Sequence, residues 1–268
     1  MPTPTAIVAK TMLHHWEEPP ISGTNGTGAV FFAGCVLRCL FCQNAAISQA
    51  KPPVGERVSP ERLSEIFWEL HARGAHSIDL VTPGQYLPAV RRAAELAKAE
   101  GFPIPLLWNS GGYESERAIR TLDGLVDIYL PDLKYADDAL ALRFSAAPGY
   151  FSVAAAAVTE MHRQVGFPRF GANGLLQRGL LIRHMVLPGC RKDSMRVLDW
   201  IAQNLPGAWV SLLAQYTPLH RAGEIPQLNR RLTQFEYQSV VEHFFETGLR
   251  NGYMQELGAA QAGYVPEF

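Results

Sequence analysis

Six short apolar runs recur along the chain, and each is followed by a longer segment whose apolar residues repeat at helical spacing. The runs are rich in Val, Ile and Leu and almost free of polar interruptions, which is typical of strands buried on both faces. They cover Ala29–Ala33, Ser77–Val81, Leu106–Trp108, Val126–Leu130, Leu180–Val186 and Val210–Leu213. This pattern predicts a parallel sheet whose strands alternate with helices.

The segments between the runs carry the usual signals of helix ends. In the first of them, Pro60–Arg73, Ser59 stands at the N-cap, Pro60 at the first helical position and Gly74 just past the end. The last, Thr233–Thr247, opens with Thr233 and Glu236 at the spacing of a capping box. The other predicted helices are Leu87–Ala99, Ser115–Leu122, Phe151–Val165 and Ser194–Leu205.

A repeated strand–helix order fits either an open doubly wound sheet or a barrel or part-barrel, and the pattern alone does not separate them. In both architectures the chemistry is found at the carboxyl ends of the strands. At 268 residues the chain is long enough for one large domain, with or without short extensions. We therefore expect functional side chains directly after the apolar runs.

Three cysteines follow the first predicted strand in a C-x3-C-x2-C pattern formed by Cys35, Cys39 and Cys42. Thiolates are soft ligands that suit iron–sulfur clusters, Zn(II) and Cu(I). A four-iron cluster normally takes four protein thiolates, so three would leave one iron open to an exogenous molecule. Apolar residues between the cysteines would shield such a cluster from water. The motif therefore favours a [4Fe–4S] site.

Three other interpretations of the cysteines remain open. A distant histidine could complete a zinc site, although structural zinc usually takes two separated pairs of ligands and no second pair follows this motif. The thiols could also be buried structural residues without a metal. Finally, Cys190 could close a four-cysteine cluster that serves only electron transfer.

The overall composition excludes few classes of protein, but it narrows the setting. The formal net charge of -1 gives no general attraction to nucleic acid, which makes a nucleic-acid partner unlikely on charge grounds. No apolar run is long enough for a membrane span, and the N-terminus lacks a secretory signal pattern. We therefore expect a cytoplasmic protein with no membrane association.

The cysteine segment and its flanks resemble the radical S-adenosylmethionine (radical SAM) superfamily, whose signature is C-x3-C-x2-C after the first strand. The segment Gly34–Asn44 is most similar to the pyruvate formate-lyase activating enzyme branch, and the whole chain resembles uncharacterised radical SAM proteins related to it. The stretches that carry this resemblance are Glu17–Cys35, Leu80–Pro88, Trp108–Glu114, Val126–Tyr135, Leu181–Gly189 and Ser211–His220.

The resemblance implies an α/β fold of the (β/α)6 partial TIM barrel type with a parallel sheet. It implies a [4Fe–4S] cluster on Cys35, Cys39 and Cys42, with S-adenosylmethionine bound at the open iron, and an electron donor such as flavodoxin or ferredoxin. It further implies an N-terminal extension over residues 1–28, a core domain over residues 29–220 and a C-terminal helical segment packed on the core over residues 221–268.

The family also implies roles for polar residues after the strands. The turn that usually reads Gly-Gly-Glu is here Thr82-Pro83-Gly84-Gln85, so the methionine amino group would meet backbone carbonyls and Thr82 instead of a carboxylate. The remaining residues expected to contact the cofactor are Asn109, Asp132, Lys134 and Arg183. Asn109 also has an ordinary structural interpretation as a turn residue, and Asp132 and Lys134 have one as a surface ion pair.

Taken together, the sequence predicts an oxidoreductase that reductively cleaves S-adenosylmethionine and abstracts hydrogen from a substrate. A protein or peptide is the expected substrate, as for the glycyl-radical activating enzymes. A small metabolite is the alternative, since nothing in the sequence excludes it. A non-catalytic iron–sulfur sensor or electron carrier is the third hypothesis, and a zinc-binding structural module is the fourth.

Overall fold

All six predicted strands are present and lie parallel to one another. The structure, a computed structural model, describes residues 3–259. The six strands are β2 (Thr27–Phe32), β4 (Ile78–Val81), β5 (Leu106–Ser110), β6 (Ile128–Pro131), β8 (Leu176–Met185) and β9 (Trp209–Leu213). Their order across the sheet is the same as their order along the chain. Because this order never reverses, the sheet has no switch point and is a partial barrel rather than a doubly wound sheet.

Four further strands extend the sheet beyond the predicted set. β1 (Ala6–His14) pairs antiparallel with β2, and β3 (Glu56–Val58) pairs with β1 at that edge. At the other edge β10 (Asn251–Met254) pairs parallel with β9. The two-residue strand β7 (Arg169–Phe170) pairs antiparallel with the first half of β8. Residues outside 29–220 thus contribute strands to the same sheet.

The helices follow the strands much as the sequence predicts. The longer ones are α3 (Pro60–Ala72), α4 (Leu87–Ala99), α7 (Tyr150–Val165), α8 (Arg191–Asn204) and α9 (Gln234–Glu246), with the shorter α5 (Glu116–Arg120) and α6 (Asp138–Ser145). α1 (Pro19–Ser22) and α2 (Ala45–Ser48) are single turns. The Ser59 hydroxyl accepts from the Arg62 amide at the start of α3, and Thr233 and Glu236 form the capping box of α9. α6 was not predicted.

The core lies on both faces of the sheet. A large apolar cluster fills the space between the strands and the helices outside them. Two smaller clusters lie on the inner face, and Ile21 of α1 packs there against Leu107, Ile128 and Leu130. The connection from β1 to β2 therefore inserts into the partial barrel and brings its polar residues toward the inner face.

β1 and β10, which lie outside residues 29–220, are hydrogen-bonded to β2 and β9 of the same sheet. α9 packs against α8. Residues 1–2 and 260–268 of the two predicted flanking segments lie outside the described residues. Over residues 3–259, every helix is too short or too polar to cross a lipid bilayer.

Candidate active site

The three cysteines lie on the loop that joins β2 to α2, at the carboxyl end of the first parallel strand. Gly34 opens this loop with φ of +83°, in the left-handed region that favours glycine. The Arg38 amide donates to the Ser145 carbonyl at 2.9 Å and the Leu40 amide donates to the Phe144 carbonyl at 2.8 Å. The end of α6 therefore fixes the middle of the cysteine loop.

All three thiols are free and face one cavity of about 210 Å³. Cys39 is buried, and its sulfur accepts a hydrogen bond from Ser145 Oγ at 3.0 Å. Cys42 Sγ lies 3.2 Å from Ser48 Oγ. Burial, followed by the proximity of Cys39 and Cys42, raises the pKa of the Cys35 thiol to about 12. The Cys35 thiol is thus neutral without a metal, and metal binding would release its proton.

The same cavity collects polar residues from four successive strand ends. Of the residues that the sequence predicts to contact a cofactor, Thr82, Asn109, Asp132, Lys134 and Arg183 line it together with the cysteines. Gly84 lines an adjoining cavity of about 200 Å³, which Cys35 and Thr82 also border. Pro83 is the exception, because neither cavity lining includes it.

Arg183 is the centre of a buried ion network inside the partial barrel. Its guanidinium donates to Asp132 Oδ1 at 3.0 Å, to Glu17 Oε2 at 3.0 Å and to Asn109 Oδ1 at 2.5 Å. Lys134 Nζ binds the other oxygen of Asp132 at 2.6 Å. These hydrogen bonds therefore connect residues that are far apart in sequence at the base of the cavity.

Burial and neighbouring charges shift the pKa values of the carboxyl groups in and around this network. Although burial opposes it, Lys134 and Arg183 lower the pKa of Asp132, which keeps this carboxylate ionised. Burial, reinforced by the charge of Glu17, raises the pKa of Asp79 well above its usual range. Burial also raises the pKa of Glu18. Two cations thus face Asp132, whose pKa they lower, while the pKa values of Asp79 and Glu18 are raised by burial.

The turn after β4 is strained and lies beside an unexpected carboxylate. Thr82 has φ of +58°, which is unfavourable for a β-branched residue, and its amide donates to the Asn109 carbonyl at 2.8 Å. Glu114 approaches Gly84 from the next strand–helix connection, and Ser110 Oγ donates to its carboxylate at 3.0 Å. The turn itself lacks an acidic residue, but the folded chain places one next to it.

Burial raises the pKa of Glu114 to about 7 from the ordinary 4.5. The folded chain therefore holds a proton that the unfolded chain has lost between these values, so the Glu114 contribution to stability falls as pH rises through this window. We expect Glu114→Gln to be increasingly more stable than the wild type from pH 4.5 to pH 7, by up to about 2 kcal/mol. Urea unfolding of both metal-free chains at several pH values measures this difference. The two chains should agree at about pH 4, where both side chains are neutral, and parallel curves throughout would contradict the assignment.

Two residues near the site have clear packing roles. His184 follows Arg183 in β8 but points to the opposite face, where it is buried and its Nδ1 lies 2.7 Å from the Leu133 carbonyl oxygen. Tyr216 lines the cavity with Gln215, yet its hydroxyl donates to the Leu228 carbonyl at 2.7 Å and its ring packs edge-on against Phe41.

The donor set fits a multi-iron cluster better than a single metal ion. Among residues 3–259, no three His, Cys, Asp or Glu side chains converge closely enough to hold one ion, as a structural zinc site requires. A four-iron cluster places each thiolate on a different iron, so its ligands border a cavity instead of meeting at a point. The three soft thiol donors around one cavity meet that requirement.

Sequence reasoning missed three residues of the site, Glu17, Glu114 and Ser145. Glu17 and Glu114 each stand at the end of a stretch that carries the family resemblance, so that resemblance was a usable signal. Ser145 ends a helix that was not predicted, and no local pattern marks it.

Comparison with known proteins agrees with this geometry. A family model described as the Radical SAM superfamily matches residues 29–198, more than half of the chain. Uncharacterized protein MJ0674 of Methanocaldococcus jannaschii is 29% identical over 238 residues, which cover 86% of this chain and 64% of that protein. The chain thus spans less than two thirds of the length of this relative.

Solved structures with low sequence identity share the fold. Streptococcus suis SuiB bound to precursor peptide SuiA superposes with a TM-score of 0.57 at 12% identity, covering 85% of this chain and 48% of SuiB. Methylornithine synthase (PylB) gives a TM-score of 0.52 at 14% identity, covering 82% of this chain and 68% of that enzyme. The family match agrees with the partial barrel and with the cysteine loop at its carboxyl end. The chain therefore belongs to the radical SAM superfamily.

Proposed function

We propose that the chain is a radical SAM oxidoreductase that reductively cleaves S-adenosylmethionine to form a 5′-deoxyadenosyl radical, which abstracts hydrogen from a substrate. A [4Fe–4S] cluster held by Cys35, Cys39 and Cys42 would supply the electron for this cleavage when bound. The observation that carries the proposal is the single cavity in which these cysteines meet polar residues from four strand ends.

The chain's own residues would bind and orient the co-substrate. Asp132, Lys134 and Asn109 present charged and amide groups to the cavity. Arg183 holds Asp132 and Asn109 in place through its hydrogen bonds, and Asp132 in turn binds Lys134. These groups are suited to the carboxylate and hydroxyl groups of S-adenosylmethionine. A preorganised set of this kind fixes the reacting atoms before chemistry begins.

Glu114 is the best candidate for the amino group of S-adenosylmethionine. Its carboxylate borders the cavity that Cys35, Thr82 and Gly84 also line, and an ammonium group would favour its ionised form. The role that a carboxylate within the turn plays in the family would then be taken by a residue of the following connection. Thr82 and the backbone of Gly84 would complete this side of the site.

The substrate that we propose is a protein or peptide. Two considerations support this class: the resemblance of the cysteine segment to glycyl-radical activating enzymes, and the precursor peptide bound to SuiB, which shares the fold. A flavodoxin or ferredoxin is the proposed electron donor, and the cytoplasm is the proposed location. In the three segments proposed, residues 29–220 would provide the catalytic core.

The test is anaerobic reconstitution with iron and sulfide, followed by addition of a reductant and S-adenosylmethionine. We expect a cluster with about four irons per chain and formation of 5′-deoxyadenosine, measured by chromatography. Addition of a desalted macromolecular fraction from cells should increase this rate, and protease treatment of that fraction should abolish the increase.

Each of the other outcomes would favour a different function for this chain. A complete cluster without cleavage and without a spectral response to S-adenosylmethionine would contradict the enzyme and favour the sensor or carrier. Zinc in place of iron would contradict both. Stimulation by the small-molecule filtrate instead of the macromolecular fraction would retain the radical chemistry and replace the peptide by a metabolite.

A further inference from the structure

A line of two hydroxyl groups leads from the interior of the protein to one cysteine sulfur. Ser145, the last residue of α6, is fully buried, and its Oγ lies 3.0 Å from Cys39 Sγ. On the other side, the same Oγ lies 2.7 Å from the hydroxyl of Tyr135, which is 1% exposed. The mechanism proposed above uses neither residue.

The direction of these hydrogen bonds follows from proton counting. A metal-bound thiolate carries no proton and only accepts, so the single proton of Ser145 Oγ must be the one donated to Cys39. Ser145 Oγ then accepts from Tyr135, whose phenol stays protonated because burial raises its pKa well above the usual range. Both hydroxyls are thus oriented toward the sulfur.

The three cysteines differ in this respect. Ser48 lies 3.2 Å from the half-buried Cys42, without a second hydroxyl behind it among the described hydrogen bonds. Within residues 3–259, no side-chain hydroxyl bonds to Cys35. Cys39 is also the most buried of the three, where low polarity strengthens a hydrogen bond. The sulfur of Cys39 is therefore the one that hydrogen bonds polarise most strongly.

We call the hydroxyl groups of Tyr135 and Ser145 the relay. Backbone hydrogen bonds hold Ser145 in place beside Cys39. The Ser145 carbonyl accepts from the Arg38 amide at 2.9 Å, and the neighbouring Phe144 carbonyl accepts from Leu40. Since Arg38 and Leu40 flank Cys39, the serine hydroxyl and the cysteine sulfur are held in register by two hydrogen bonds that do not depend on the Ser145 side chain.

We propose that Tyr135 and Ser145 are positioning residues that raise the reduction potential of the [4Fe–4S] cluster through Cys39. This inference rests on the proposed function only in that the cysteines hold such a cluster. Hydrogen bonds to cluster sulfurs stabilise the reduced state, which carries the additional negative charge. The relay would make the cluster easier to reduce at the potential of a cellular donor.

The experiment is an anaerobic redox titration of reconstituted protein, followed by electron paramagnetic resonance. At a fixed solution potential, Ser145→Ala should lower the ratio of reduced to oxidised cluster about tenfold, a shift of the midpoint potential by about -59 mV for one electron. Tyr135→Phe should shift the midpoint in the same direction but less, because Ser145 still donates. Iron content and thermal stability are measured alongside, since a merely structural role would change these and leave the midpoint unaltered.

Ser64→Ala is the matched control. Ser64 is a buried serine of α3 whose hydroxyl has no hydrogen-bond partner among the described residues, and its loss should leave the midpoint at the wild-type value. Equal midpoints for wild type, Ser145→Ala and Tyr135→Phe, with full clusters in all three, would overturn the relay and leave the proposed function intact. If Ser145→Ala does not assemble a cluster, Tyr135→Phe decides alone. A wild-type chain that takes up no cluster would overturn both proposals.

Discussion

Replacement of Cys39 by alanine is expected to abolish formation of 5′-deoxyadenosine, reducing it to the level measured without protein. Cys39 is the most buried of the three thiols and lies between the other two in the loop. Its loss leaves two thiols at the cavity and removes the ligand to which Ser145 donates. Two protein ligands are too few to hold a four-iron cluster, so iron content should fall with activity. Iron analysis and chromatography of the reconstituted variant measure both.

Cys190→Ala is the control for this experiment. Cys190 is equally buried, but it lies outside both cavities and accepts a hydrogen bond from Gln227 at 3.1 Å. Its removal should leave iron content and cleavage close to the wild type. The same loss in Cys190→Ala as in Cys39→Ala would show that the fourth cysteine closes the cluster, as a dedicated electron carrier would require. Full activity of Cys39→Ala would overturn the assignment of the motif.

The fold was largely predictable because its signals are local. Most of the buried parallel strands contain a short apolar run, such as Ala29-Val30-Phe31-Phe32 in β2, and helix ends such as Ser59 and Thr233 are marked by their own side chains. The choice between an open sheet and a partial barrel depends on strand order, which no local pattern records. Here the resemblance to the family supplied the answer, and the structure confirms it.

Three of the unpredicted strands, β3, β7 and β10, lack those local signals. β3 and β7 are only three and two residues long and mostly exposed, so they have no apolar run. β10 is half-buried along its length and contains Gly252, whose φ of +137° is outside the range usual for strands. Such elements are defined by their neighbours in the sheet rather than by their own composition.

The site was predictable only where its residues belong to the motif or follow a strand. Asn109, Asp132 and Arg183 follow or end successive strands, and the parallel sheet necessarily brings such positions to one edge. Glu17 reaches the same network from the connection that inserts into the barrel. Ser145 reaches Cys39 across 106 residues of sequence. Contacts of this kind depend on the tertiary fold and leave no periodicity to detect.

Arg183 is the residue whose loss should most reduce the stability of the chain. Its side chain is 15% exposed and binds Glu17 and Asp132 at 3.0 Å each. Both carboxylates are themselves largely buried, so removal of the cation leaves negative charges facing one another in a region of low polarity. Breaking a buried ion pair from one side typically destabilises a protein by about 3 kcal/mol or more.

We therefore expect Arg183→Met to lower the free energy of unfolding by about 3 kcal/mol at pH 7, measured by urea denaturation of the metal-free chain under reducing conditions. Arg62→Met is the matched control, because Arg62 also binds two carboxylates, Glu65 and Glu69, but all three side chains are at least 41% exposed. Its loss should cost less than about 1 kcal/mol.

The pH dependence of the loss of stability in Arg183→Met shows whether Arg183 stabilises the chain through its charge or through its packing. We call this loss of unfolding free energy the deficit. In the wild type, Lys134 and Arg183 lower the pKa of Asp132 against the effect of burial, so its contribution is present above the ordinary value of 3.8 and is lost only as pH falls through the lower folded value. Without Arg183, burial raises the folded pKa of Asp132, which then takes up a proton at a higher pH. The deficit should accordingly shrink as the pH is lowered from 7 toward about 5. A deficit of equal size at both pH values would mean that Arg183 stabilises the barrel through the packing of its side chain and not through its charge.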